Sequence, residues 1–220
     1  MSPDSVAEDA AQVPTRRDAR RNRSRLLEEA RRLFAERGVD ASLEELASRA
    51  AVGIGTLYRH FPTRDDLIRT LYDEYVEQLG AQLERVSSAP TGWEAVVGYV
   101  SGLAEWMIAD RSIAPIVRRM AEVDPTHRPA DRFVPVIIAM VERAKAEGAL
   151  RADVDGIDLS AGAAMLGNLG LYGPAYEAHW RRQLGILLDG LRAEPGAATP
   201  LGADGPDVDV FHRMVHGIPE

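Results

Sequence analysis

Residues 42–67 read SLEELASRAAVGIGTLYRHFPTRDDL, and the punctuation of this stretch decides the fold. Ser42 followed by Glu45 is a capping-box pattern, in which a hydroxyl and a carboxylate satisfy backbone N–H groups that a helix start leaves unpaired. Leu43, Leu46, Ala47 and Ala50 then recur at helical spacing. Ala51-Val52-Gly53 interrupts them, with Gly53 able to take the left-handed backbone of a tight interhelical turn. A second helix restarts at Ile54 or Gly55. It cannot run far, because Pro62 has no N–H to donate and disfavours helical geometry at Phe61. Thr63 with Asp66 repeats the cap signature and opens a longer helix, whose apolar side carries Leu67, Ile68, Leu71, Tyr72, Tyr75, Val76, Leu79 and Leu83.

The short middle helix holds the chemistry. Leu57 and Phe61 lie four apart and can face a core, whereas Thr56, Tyr58, Arg59 and His60 leave that face and carry hydrogen-bonding groups. In a helix-turn-helix module the second helix enters the major groove, where such groups meet phosphate oxygens and base edges. Gly55, without a side chain, permits close approach of backbone N–H groups at the positive helix end. A small helical hairpin with solvated polar residues would show the same spacing. The charge distribution favours nucleic acid: residues 15–64 hold 12 Arg and no Lys against 7 Asp and Glu, a net of about +5. With the whole chain at −8, about −13 remains for the rest. A basic head on an acidic body docks nucleic acid in one orientation.

The run from Val52 to Leu67, VGIGTLYRHFPTRDDL, resembles the signature of the TetR family of bacterial transcriptional regulators, and Leu26 to Gly38, LLEEARRLFAERG, is similar to that family's first helix. The resemblance covers roughly residues 20–70; the remainder matches in length and helical pattern. It implies that Tyr58 and His60 hold phosphates, that Thr56 and Arg59 stand near base edges, and that Arg64 replaces the usual Lys as another phosphate contact. Ser42 caps its helix and can also touch a phosphate. Arg16, Arg17, Arg20, Arg21, Arg23 and Arg25 are expected as an arm before the first helix. Such an arm can track the DNA backbone or reach a minor groove, or remain a solvated basic tail.

The expected fold is all-α: an N-terminal three-helix helix-turn-helix DNA-binding domain plus a larger C-terminal helical ligand-binding and dimerisation domain. The expected divisions are a flexible arm over 1–19, the DNA-binding domain over 20–66, the helical body over 67–192 and a largely disordered tail over 193–220. At 220 residues the chain can bury a sizeable core. It has no cysteine, so it forms neither disulfides nor thiolate metal sites, which suits a cytoplasmic setting. Residues 1–14 carry Asp4, Glu8 and Asp9 and do not read as a secretory signal. No uncharged apolar run reads as a membrane span, and no membrane partner is expected.

Beyond Val86, helices are expected over Thr91–Asp110, around Ile113–Ala121, within Pro129–Glu147, around Ile157–Leu171 and over Ala175–Leu191. Pro135 either sits in a first turn or kinks its helix. Trp93, Trp106, Met107 and Met120, with Phe133, Met140 and Met165, are candidates to line an effector cavity. Each can equally be ordinary core. The cavity itself is implied by the resemblance, as is a small, often hydrophobic effector that releases the operator. Gly162 and Leu166, with Leu184, Leu187, Leu188 and Leu191, are the candidate interface of a homodimer, which would read a pseudo-palindromic operator.

The expected activity is therefore repression through operator occupancy, with activation by the same architecture as an alternative. A helical protein-interaction adaptor is the rival from another class. An enzyme is not expected. Gly53-Ile54-Gly55 follows no strand, the third glycine of a dinucleotide fingerprint would fall at Tyr58, and no Gly-x-Ser-x-Gly occurs. No cofactor is expected and no metal site is assigned; His212 and His216 at i, i+4 lack a defined third ligand.

Overall fold

The computed structural model describes residues 16–169, 179–193 and 208–209. Nine α-helices and one 3₁₀ turn form the described part: α1 (Arg16–Arg37), α2 (Leu43–Arg49), α3 (Ile54–His60), α4 (Arg64–Ser87), α5 (Gly92–Ala109), α6 (Ile113–Val123), the 3₁₀ turn Pro129–Phe133, α7 (Val134–Ala146), α8 (Gly156–Gly167) and α9 (Trp180–Leu191). Their starts follow local chemistry. Thr63 and Asp66, Thr91 and Glu94, and Asp155 and Asp158 each close a reciprocal capping box at α4, α5 and α8. Pro135 sits in the first turn of α7, where its missing N–H costs no helical bond, and so it does not kink the helix. The start expected near Ala175 for the last helix lies outside the described residues, as do His212 and His216.

Two apolar clusters organise the packing. In the first, Leu26, Ala30, Leu33 and Phe34 of α1 meet Leu46 of α2, Leu57 of α3 and Leu67, Ile68 and Leu71 of α4, with Ile113, Ile116 and Met120 of α6 closing one side. The second gathers Val96, Tyr99 and Val100 of α5 with Val141 of α7, Leu159 and Ala163 of α8, and Trp180 and Leu191 of α9. Tyr99 is wholly enclosed there, its hydroxyl 2.8 Å from Ser160 Oγ, and burial pushes its pKa up. The 24-residue α4 runs through both clusters, contributing Leu67 to the first and Leu83 to the second.

A row of ionic pairs fixes α4 against the segment from α6 to the 3₁₀ turn. Asp65, Arg69, Asp73 and Glu77 stand one helical turn apart on α4. They meet Arg119 at 3.5 Å, Asp124 at 2.8 Å, His127 at 2.7 Å and Arg132 at 2.7 Å, in that order along the chain. Sliding α4 by one turn would set Arg69 against Arg119 and Asp73 against Asp124, so the sequence of signs permits one register. Beside this row, the Tyr75 hydroxyl donates to Asp110 Oδ2 at 2.9 Å and lies 2.7 Å from the buried Ser112 hydroxyl. Trp106 packs edge-on against the Tyr75 ring and Arg31, which is ion-paired with Glu74, lies over it.

The arginines expected as an arm before the first helix are part of it. α1 begins at Arg16, ten residues before its first buried side chain, Leu26. Nothing in the apolar pattern marks that start, because the first turns of α1 bury no side chain.

The predicted dimer and effector residues separate under packing. Gly162 faces its own chain, since a Cβ there would lie 2.9 Å from Leu187 Cδ2; Leu166 and Leu191 are each 7% exposed. Leu184, Leu187 and Leu188 are half-buried against the second cluster. These residues therefore join α8 to α9 within one protomer, and on these two helices the exposed large apolar side chains are Met165 and Ile186, at 72% and 59% exposure. Met165 accordingly cannot line an interior cavity: the helical phase that turns Leu159, Ala163 and Leu166 inward turns it out.

Candidate nucleic-acid interface

The interface is built on the α2–α3 hairpin. Ser42 caps α2, its hydroxyl oxygen accepting from Glu44 N and Glu45 N, each at 3.2 Å, while its own proton goes to the Glu44 carboxylate at 2.7 Å. That bond holds the Glu44 carboxyl below its usual pKa. The expected return bond of the capping box gives way to ion pairs, because the Glu45 carboxylate is taken by Arg49 at 2.9 Å and Arg37 at 3.3 Å. α2 ends in a Schellman motif: Ala51 N donates to Ser48 O and Val52 N to Ala47 O, each at 3.0 Å. The left-handed residue of the turn is Ala51, at φ 50°, rather than Gly53. Gly53 is extended at φ −69°, ψ 146° and serves as the N-cap of α3.

α3 has one closed side and one open side. Leu57 is fully buried, and Phe61 just beyond the helix is 1% exposed. Tyr58 is 43% exposed, Gly55 and Arg59 are also exposed, and Thr56 and His60 are half-buried. Thr56 and Arg59 are brought together: Arg59 Nη2 donates to Thr56 Oγ1 and Arg59 Nε to the Gly55 carbonyl, both at 3.1 Å. A Cβ added at Gly53 or Gly55 would meet nothing within 4 Å. Internal packing therefore does not require either glycine, and the space in front of them is open to whatever docks.

The His60 pKa lies below its ordinary value, lowered first by burial and then by the positive charges of Arg23 and Arg59. A phosphate beside it would reverse that bias. Arg23 lies 5.2 Å over the Phe61 ring, which anchors an α1 arginine at the end of the reading helix; the sequence pattern gave no sign of that contact. Arg64 behaves differently from a freely extended phosphate ligand. Its Nη1 donates to the Val39 and Ala41 carbonyls, both at 2.6 Å, and so clasps the start of α4 to the loop between α1 and α2.

The predicted effector residues do not converge on one wall. Met120 is buried in the first cluster and Met140 in the second. Trp93 is half-buried on α5, with the Arg192 guanidinium 4.4 Å from its ring. Trp106, Met107 and Phe133 lie half-buried along the first cluster, and Phe133 also borders the second. A hollow between α1 and α4 is lined by Arg23, Thr70, Asp73, Glu74, Glu77 and Gln78 and contains none of the predicted effector residues. Among the described residues no helix is long and apolar enough to cross a membrane.

The model of bacterial regulatory proteins of the tetR family matches residues 26–71, and that of the SbtR-like transcriptional regulator C-terminal domain matches residues 92–193. An HTH-type transcriptional regulator of Staphylococcus aureus (strain USA300) is 47% identical over 53 residues, which are 24% of this chain and 29% of that protein. The chain thus matches less than a third of the length of this curated relative. The structure of the ketosteroid transcriptional regulator KstR2 of Mycobacterium tuberculosis shares the fold at TM-score 0.62 and 22% identity, covering 83% of this chain and 98% of that one. The TetR transcriptional regulator SCO0520 of Streptomyces coelicolor is 32% identical at TM-score 0.58, covering 78% of this chain and 98% of that one. With its reading head and its helical body each matched, the chain belongs to the TetR family of bacterial transcriptional regulators.

Proposed function

We propose that this chain is a cytoplasmic repressor that binds a pseudo-palindromic duplex operator as a homodimer and leaves it when a small hydrophobic effector binds the body. The observation that carries this reading is the open side of α3: Tyr58 and the linked pair Thr56–Arg59 lie beside two glycines with empty space in front of them. In the groove, Thr56 and Arg59 read base edges, while Tyr58, His60 and the backbone N–H groups behind Gly55 hold phosphates. Ser42 adds a phosphate contact at the start of α2, and Arg64 acts as the clasp that keeps α4 under the head.

Repression follows from occupancy, because a dimer seated on an operator obstructs polymerase. Two heads related by a two-fold present their reading helices at half-sites about 34 Å apart, or a multiple of that. Met165 and Ile186 give the partner protomer an apolar landing surface on α8 and α9. The effector enters at the seam of the two clusters beside Trp106, Met107 and Phe133, where half-buried apolar side chains can part without opening either core.

The test is selection of bound fragments from the source genome, followed by titration of the recovered operator. Tyr58→Phe weakens binding to every sequence. Arg59→Ala in addition relaxes base preference, by about 1–3 kcal/mol at the contacted pair. Equal losses on operator and random DNA for both variants would overturn the division of roles. A sedimentation mass of one chain at micromolar concentration would overturn the dimer. Raised transcription from the operator-linked promoter in the presence of effector-free protein would overturn repression.

A further inference from the structure

Among the described residues Ser112 and Gln82 are the buried polar side chains, and they are treated differently. The Ser112 hydroxyl donates to Asp110 Oδ1 and lies 2.7 Å from the Tyr75 hydroxyl. Gln82, 8% exposed on α4, has no hydrogen-bond partner among the described residues. Its place is made by α5. Tyr75, Gln82 and Val86 stand at i, i+7 and i+11 on α4, facing Trp106, Gly102 and Gly98 of α5. A Cβ at Gly98 would lie 2.9 Å from Val86 Cγ1, and one at Gly102 would lie 2.0 Å from Gln82 Nε2 and 3.0 Å from Gln82 Cδ. Gly102 thus leaves room for an amide that the protein's own groups leave unbonded. A buried amide so placed costs stability, and a methionine would fill the same space without that cost.

We infer that Gln82 is the polar anchor of the effector site, and that the effector is a neutral, mainly apolar molecule carrying a carbonyl or hydroxyl group. The inference rests on the effector-released regulator proposed above and names the chemistry of its ligand. A primary amide donates through Nε2 and accepts through Oε1, so it matches a carbonyl or a hydroxyl and brings no charge to meet a carboxylate or an ammonium. No charged side chain is buried among the described residues, so an ionised ligand in this seam would lack a counter-charge. The surroundings of the amide are apolar. Leu79 precedes Gln82 by three residues and Trp106 follows Gly102 by one helical turn; both are half-buried and can move aside for the ligand's body without opening either core.

The experiment is calorimetric titration of the full chain at neutral pH with cyclooctanone, cyclooctanol and cyclooctanecarboxylate. The ketone and the alcohol should each bind about tenfold or more tighter than the carboxylate. Gln82→Met should weaken both neutral probes by about three- to tenfold, the worth of one buried hydrogen bond, without lowering the thermal midpoint or the affinity for duplex DNA. Gln82→Leu removes the amide in a different shape and should repeat the loss, so that a folding defect in one variant does not decide the outcome. Undiminished affinity for the ketone and the alcohol in a folded variant overturns the anchor, since the seam would then be merely apolar. A carboxylate bound as tightly as the alcohol overturns the neutral ligand, and failure of the unaltered chain to bind any of the three probes overturns both. Cyclooctanone should also release duplex DNA from the unaltered chain at a lower concentration than from Gln82→Met. Binding through Gln82 with no release of DNA overturns the effector reading and leaves the anchor standing; loss of the anchor with DNA binding intact leaves the regulator reading standing.

Discussion

Gly92 and Gly162 in the body and Gly53 and Gly55 in the head face opposite surroundings. At Gly92, on the first turn of α5, an added Cβ would lie 2.5 Å from Ala144 N and 2.6 Å from Ala144 Cα, so two backbones meet there. At Gly162 the added Cβ would instead lie 2.9 Å from a side-chain atom, Leu187 Cδ2. Gly53 and Gly55 meet nothing. Gly92 and Gly162 are thus explained by their own fold, whereas nothing in the packing around Gly53 and Gly55 requires a glycine. The contrast sets two close-packed glycines of the body against two on the open side of the head.

The largest effect expected is at Gly92. Gly92→Ala forces α5 away from α7 and destabilises by about 1–3 kcal/mol or more, read as a fall in the denaturant midpoint. A neutral result there would remove the body half of the contrast. Ala51→Gly is expected to move the other way, by about 0.5–1 kcal/mol. It relieves a left-handed Ala at an exposed position, and the gain is partly offset by the greater freedom of the unfolded chain.

Gly55→Ala sharpens the comparison most, because stability and function should part. The first turn of α3 gains about 0.5 kcal/mol of helix propensity while affinity for duplex DNA falls. If affinity and stability rise together, no partner approaches that backbone.

The smallest effect lies in the ionic row that joins the two regions. Asp124→Arg should lower the denaturant midpoint slightly, and the part of the loss that comes from facing Arg69 should fade at about 1 M salt. The same pair sets an acid dependence. The Thr126 hydroxyl and Arg69 hold the Asp124 carboxyl down to about 2 from its ordinary 3.8. A depressed carboxylate stabilises the fold above its ordinary value and loses that contribution as pH falls from about 4 towards 2. Acid titration of Asp124→Asn should lack this component of the loss.

Most of the head was legible because its signals are short-range. Thr63 and Asp66 form their capping box as the spacing implies, Pro62 ends the reading helix, and Leu57 with Phe61 turns inward. Gly53 misled for a specific reason. The Schellman geometry set by the end of α2 places its left-handed position at Ala51, and a tolerated Ala carries no signal in the sequence. The extension of α1 back to Arg16 was hidden because ten helical residues without a buried side chain leave no apolar period to read.

In the body, helices were legible and their partners were not. The sequence offered Met165 to an effector cavity and Leu166 to a dimer interface, yet adjacent positions on α8 differ by 100° in direction and only one can face the core. Packing chose Leu166 for the interior and left Met165 outside.

The sequence alone determined the helical class, the caps and breaks of the head, the separation of charge, and the residues that α3 can offer to DNA. Each of these depends on neighbours within about one helical turn or on composition. Tertiary structure decided which buried polar side chain is left without a partner, which glycines face empty space, how α4 is held in register, and that Gly162 and Leu187 serve the protomer before any partner. Those outcomes depend on side chains brought together from distant parts of the chain, and no local spacing encodes which of two chemically equal faces a neighbouring helix will cover.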